Sequence, residues 1–161
     1  MGAPRRYWLM KSEPGAYGID DLAQRPGRRD HWDGVRNYQA RNLMRDEMRP
    51  GDLAFFYHSS CEVPAIVGIM AIVGRAYPDP SALDPKHDHY DPAASRDDPC
   101  WLMVDVRLVR KLKRPITLAE LKRHPALAGL QLLKPGNRLS VLPVPPPMWD
   151  YILGLEGQAR E

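Results

Sequence analysis

Cysteine is scarce in this sequence, long apolar runs are missing, and neither sign of charge dominates. Two cysteines, Cys61 and Cys100, in 161 residues cannot build the disulfide framework of a small secreted scaffold. They fit a reducing compartment, although a single bridge between them stays open from sequence. The longest apolar stretch, Ala65 to Gly74, is about half of what a membrane-spanning helix needs. No secretory pattern is visible, because Met1 to Arg6 leads straight into a strand-like run, and Gly2 is not followed by a hydroxyl residue at position 6, as myristoylation requires. A soluble, cytoplasmic protein without membrane association is expected. The balance of 23 basic against 20 acidic residues gives a net charge of +3, compatible with a nucleic-acid partner without demanding one. Lysine supplies only 6 of the 23 cations and arginine 17. Arginine suits bidentate phosphate contacts, but a GC-rich genome produces the same bias. A Gly-rich phosphate loop of the nucleotide-binding types is absent as well.

What is present is concentrated in Trp32-Asp33-Gly34-Val35-Arg36-Asn37-Tyr38-Gln39-Ala40-Arg41-Asn42. Two aromatic rings, two guanidiniums and three side-chain amides with almost no aliphatic filler make poor core material. They are what a nucleobase site uses: a ring to stack on, amides to read an edge and cations for the backbone. The plainer alternative is a Trp buried beside a helix whose polar residues face water.

Strand patterns flank this stretch. Arg6 to Lys11 reads as a first strand, stopped by Ser12-Glu13-Pro14-Gly15, which leaves Lys11 and Ser12 at its carboxyl end. Ile19 to Ala23 predicts a short helix with acids near its start. Arg28 to His31 reads as a polar loop delivering Trp32, and Tyr38 to Met48 as a helix with Leu43, Met44 and Met48 on one face. Leu53 to His58 is a second strand. Ala65 to Val73 is a third that lacks alternation, so both its faces should be covered, with Gly68 and Gly74 marking bulges or bends. From Tyr77 to Pro99 the prolines at 78, 80, 85, 92 and 99 predict a long irregular loop, either a functional lid or a well-packed excursion. Trp101 to Val109 is a strand, and Thr117-Leu118-Ala119-Glu120 is a capping-box pattern opening a short helix that His124-Pro125 closes. Leu139 to Val144 is a late strand, Met148 to Leu153 a terminal helix, and the tail after Gly154 should fray. No repeat, coiled coil or linker interrupts the chain, so one domain over 1–161 is expected, an α+β fold whose sheet curls into a small barrel with short flanking helices.

The motifs Tyr7-Trp8-Leu9-Met10-Lys11-Ser12-Glu13-Pro14, Trp32 to Asn42, Gly51 to Ser59 and Ala76-Tyr77-Pro78-Asp79-Pro80, with the return strand from Trp101, resemble the EVE domain family across about residues 5–155. That family is related to PUA, ASCH and YTH domains. The resemblance implies a PUA-like small β-barrel and a reader that holds an extruded modified base. Modified cytosines such as 5-methyl- or 5-hydroxymethylcytosine in DNA are the implied ligands for EVE domains, and a methylated adenine in RNA for YTH domains. Carried over by position, Lys11 and Ser12 are implied to touch a phosphate and Trp32 to be a cage wall. Asn37, Gln39 and Asn42 are candidates for the base edge, and Arg36 and Arg41 for the backbone. Tyr57 and His58 are placed to close the pocket, with Trp101 or Tyr90 as a further wall. On this reading Trp32→Ala should abolish base-dependent binding and leave the fold intact.

Competing chemistries are weaker. His58, Cys61, His87, His89 and Cys100 match no zinc-ligand spacing, so no metal or other cofactor is expected. His58 near Cys61 lacks an oxyanion loop to make a nucleophile. The alternative of substance is a hydrolase acting on a modified nucleoside, as in ASCH-type relatives, with Lys11, Ser12 and Glu13 moving protons. A monomeric, non-enzymatic partner of DNA or RNA is the expectation.

Overall fold

The chain's structure, a computed structural model, describes residues 4–98 and 100–158. Pro99 and the last three residues of the tail lie outside them. Seven strands and four short helices are present: β1 (Tyr7–Ser12), α1 (Ile19–Ala23), β2 (Arg29–Trp32), α2 (Tyr38–Asp46), β3 (Leu53–His58), β4 (Ala65–Ile72), β5 (Tyr77–Pro78), β6 (Leu102–Thr117), α3 (Leu118–Lys122), β7 (Val141–Pro143) and α4 (Pro146–Glu156). Along the sheet the order is β2-β6-β4-β3-β1-β7, with β5 added on β6. β1 and β3 run parallel and every other pair is antiparallel. The fold is the expected α+β arrangement, but the sheet is not closed: it ends at β2 on one side and β7 on the other.

The hydrophobic pattern explains most of this. In β4 every residue but Val67 is buried, as a strand without alternation requires when both faces are covered. Its register slips on both sides around Gly68, and a Cβ there would stand 2.2 Å from Ile19 Cδ1. Glycine is what lets α1 lie against the sheet. Gly74, in contrast, lies beyond the end of β4. The core fills with Trp8, Phe55, Phe56, Met10, Met44 and Trp149, with Phe55 stacked on Trp149 at 3.8 Å between centroids. α2 ends at Asp46, two residues short of the expected Met48; Met44 within it and Met48 beyond it are buried, and Leu43 is partly buried.

Several elements depart from the sequence reading. Arg29–Trp32 is an edge strand paired with β6, not a loop. Its side chains alternate, Arg29 and His31 outward, Asp30 and Trp32 inward, so a four-residue alternation was present but hidden by polar composition. β6 continues to Thr117. Its second half, Arg110 to Pro115, is cationic and contains a proline, but pairing with β4 and ion pairs to Glu120 and Glu156 carry it. In the 77–99 segment, Tyr77–Pro78 forms a two-residue ladder on β6, and a 3-10 turn follows at Pro80–Leu83. Thr117 does cap α3, accepting from the Glu120 amide at 3.1 Å. The Glu120 carboxylate goes to Arg114 instead, at 2.7 and 2.8 Å. The chain does not fray at Gly154: α4 runs to Glu156, Leu155 is buried, and Glu156 takes Arg110 in a two-pronged pair and the Lys113 amide. Cys61 and Cys100 are both free thiols.

Candidate functional site

A cleft of about 760 Å³ opens where the sheet fails to close. Its walls come from the carboxyl ends of β1 and β2, from the turn after β3, and from Arg138 and Ser140 ahead of β7. β1 and β3 are parallel, so their carboxyl ends deliver Lys11, Ser12, Ser59 and Ser60 to one rim, joined by the Ser59 amide donating to the Ser12 carbonyl at 3.0 Å. β2 delivers Asp30, His31 and Trp32 to the other.

Trp32 lines this cleft and is 7% exposed. Its ring meets Phe56 edge-on, with centroids 5.2 Å apart. It is therefore core and wall at once, which corrects the expectation that removing it leaves the fold untouched. Lys11 is half-buried, forms no ion pair among the described residues, and burial holds its ammonium below the usual lysine range. A partly desolvated cation without a counter-ion is stabilised by any acceptor or anion brought beside it. The Ser12 hydroxyl donates to the Tyr17 carbonyl at 2.6 Å and so fixes the turn after β1. Tyr17 in turn donates to Asp30 Oδ2 at 2.6 Å, and burial together with that bond pushes the phenol well above its ordinary value. Asp30 is thus committed, whereas Asp33 keeps a third of its side chain exposed and has the His31 ring at 3.8 Å.

The 77–99 segment is a packed excursion that also reaches the cleft. Asp79 is fully buried and accepts from the Gly34 amide at 2.9 Å, from Arg36 at 3.1 Å, and from the Ser81 amide and hydroxyl at 2.8 and 2.6 Å. Burial alone would raise its carboxyl; these bonds outweigh it and hold the group below the usual range. The segment places His87, Asp88 and His89 on the cleft wall. His89 lies so close over Gly34 (φ 78°) that a Cβ there would be 2.6 Å from its ring, so position 34 needs glycine on both counts.

The structure separates the residues picked out from sequence. Lys11, Ser12 and Trp32 share the cleft. Asn37 and Gln39 line a second depression, with the Asn37 side chain capping α2 through the Ala40 amide at 3.0 Å. Arg36 is occupied by Asp79, Ser81 and the His89 carbonyl, and lies over Trp101. Arg41 donates to the Cys100 carbonyl at 2.9 Å and to Asn42, whose carbonyl oxygen is thereby taken. Tyr57 is 3% exposed, and His58 accepts from the Ile19 amide at 3.1 Å; neither lines the cleft. Trp101 stacks on Tyr38, and neither it nor Tyr90 lines the cleft. Sequence reasoning missed Tyr17, Asp30, Asp33, His87, His89 and Arg138. For Asp30 the alternation with Trp32 was the usable signal and for Asp33 its place directly after Trp32; the others come from separate loops and carried none.

The lining carries two cations, Lys11 and Arg138, against four carboxylates, Glu13, Asp30, Asp33 and Asp88. Such a hollow repels a phosphate at its centre and suits a flat heterocycle with donor groups.

The EVE domain family model matches residues 6–155 of the chain. Mouse thymocyte nuclear protein 1 is 48% identical over 166 residues, covering 93% of this chain and 73% of the mouse protein. A crystal structure of human THYN1 in complex with 5-methylcytosine-containing DNA superposes with a TM-score of 0.89 at 44% identity, covering 96% of this chain and 99% of that one. The YTH domain of Zygosaccharomyces rouxii MRB1 shares the fold, with a TM-score of 0.54 at 16% identity over 100% of this chain and 91% of that one.

Proposed function

The chain belongs to the EVE domain family, and from that premise we propose that it is a reader of modified cytosine in DNA, holding the base extruded in the cleft beside Trp32. The observation that carries this reading is the pairing of an indole wall with the unpartnered, partly desolvated Lys11 ammonium at the same cleft. The human relative that matches across 96% of this chain is a protein crystallised with 5-methylcytosine-containing DNA.

A base cannot be inspected inside a duplex, and extruding it costs a few kcal/mol. Stacking on an aromatic face returns about 1–3 kcal/mol. A single methyl adds only roughly 0.8 kcal/mol when fully buried, so selectivity needs a close wall as well as hydrogen bonds. In this reading Trp32 and the imidazoles of His87 and His89 supply the walls. Asp33, next to Trp32 in the chain and without a hydrogen bond among the described residues, accepts from the exocyclic amine of cytosine, the pairing that carboxylates make with that base. Lys11 takes the adjoining phosphate.

Fluorescence anisotropy with matched DNA duplexes, one carrying 5-methylcytosine and one unmodified, tests this. Tighter binding of the modified duplex is expected. Asp33→Asn should weaken binding of the modified duplex by about tenfold, in line with the 1–3 kcal/mol of a good base contact. Equal binding of the two duplexes by the wild-type chain would refute the reading. Release of free base or conversion of a modified nucleoside on incubation with the protein would point instead to a hydrolase working through Lys11 and Glu13.

A further inference from the structure

A second depression, of about 370 Å³, lies next to the cleft, and Arg138 lines both. Its chemistry is the reverse of the cleft's. Lys134 and Arg138 are exposed and carry no ion pair among the described residues, and no carboxylate lines the depression. The remaining polar groups include the amides of Asn37, Gln39 and Asn137. Asn137 Nδ2 is a buried donor without a protein partner, a condition that costs free energy until something accepts from it. Cations and amide donors without a competing acid are the makings of a polyanion track, whereas the acid-rich cleft beside it is suited to a base.

We infer that this depression binds the phosphodiesters of the strand that runs on from the extruded base, with Arg138 as the hinge between base site and track. The inference rests on the base-reading function proposed above and adds to it a direction: the strand leaves the cleft on one side, across Arg138 towards Lys134 and the amino end of α2. Asn37 and Gln39 then serve the flanking backbone and not the base edge.

Two measurements on the full chain test it, using 5-methylcytosine-containing and unmodified DNA oligonucleotides. Lys134→Ala should weaken both by several-fold alike and lower the slope of log affinity against log salt by about 1, and the Lys134→Ala/Arg138→Ala pair by about 2. Trimming nucleotides from one flank of the modified base should reduce wild-type affinity more than trimming the other, and the double variant should lose that asymmetry. Both side chains are exposed, so unchanged melting temperatures should accompany these losses. An unchanged salt slope in the double variant, with base preference intact, overturns the track alone. A slope that falls as expected in a protein without base preference removes the base reading and keeps the track. No binding to either oligonucleotide overturns both.

Discussion

In the proposed reading, Lys11 serves binding at the expense of stability. Its ammonium is half-buried at the end of β1 and has no carboxylate to repay its lost hydration. Lys11→Met should therefore leave the melting temperature unchanged or raise it, while weakening DNA whether or not the base is modified. A lowered melting temperature would mean that the ammonium is held by the fold and not reserved for a ligand. Trp32 is the opposite case, because its ring closes the core against Phe56 and walls the cleft. Trp32→Ala should cost about 3–5 kcal/mol, the usual toll of emptying a large aromatic site. Trp32→Phe is the informative substitution, since it retains a stacking face in the same place.

Among the elements, the 79–91 excursion is pinned by two carboxylates, Asp91 on the Trp101 indole at 2.6 Å and the buried Asp79. Asp79 gathers Gly34, Arg36 and Ser81, and so ties the segment bearing His87 and His89 to the strand end bearing Trp32. Asp79→Ala takes the carboxylate from a partly buried guanidinium and the acceptor from the Gly34 amide, and should lower stability by about 1–3 kcal/mol, read by chemical denaturation. It should also release His89 from Gly34 and so weaken base preference by more than it weakens overall binding. A loss confined to stability would separate the excursion from recognition. Elements bounded by clear turn signals were legible from sequence: β3, β4 and α1 appear at or within a residue of where the apolar runs and their flanking Pro, Gly and Ser place them. The second half of β6 was not. Arg110, Lys111, Lys113 and Arg114 mimic a solvated loop until Glu156, Glu120 and Asp20 are brought to them from elsewhere in the chain. Local composition cannot announce partners that arrive only on folding. The partners of Arg36 and Arg41 were hidden for the same reason, since their cationic forks are used on Asp79 and on the Cys100 carbonyl.

For the whole molecule, acid is the informative stress. His58 docks the turn before α1 by accepting from the Ile19 amide, which only the neutral ring can do. Burial depresses its pKa, partly offset by nearby Asp20. The folded chain thus binds fewer protons at this site than the unfolded one. The stability it contributes is fully present above the unfolded value of about 6.5 and is lost as pH falls through the lower folded value. Melting temperatures measured between about pH 8 and 5 should fall toward acid more steeply in the wild type than in His58→Gln. Parallel curves would remove His58 from the account.

The gap between β2 and β7 has a consequence of its own. A cylinder of strands laced all the way round spends its peptide groups on itself and offers a visitor only side chains. One left ajar keeps main-chain donors and acceptors at the seam, with fixed spacing and no titration of their own. A visitor that pairs with that seam completes the cylinder, so occupancy should slow amide hydrogen exchange along both unlaced edges together.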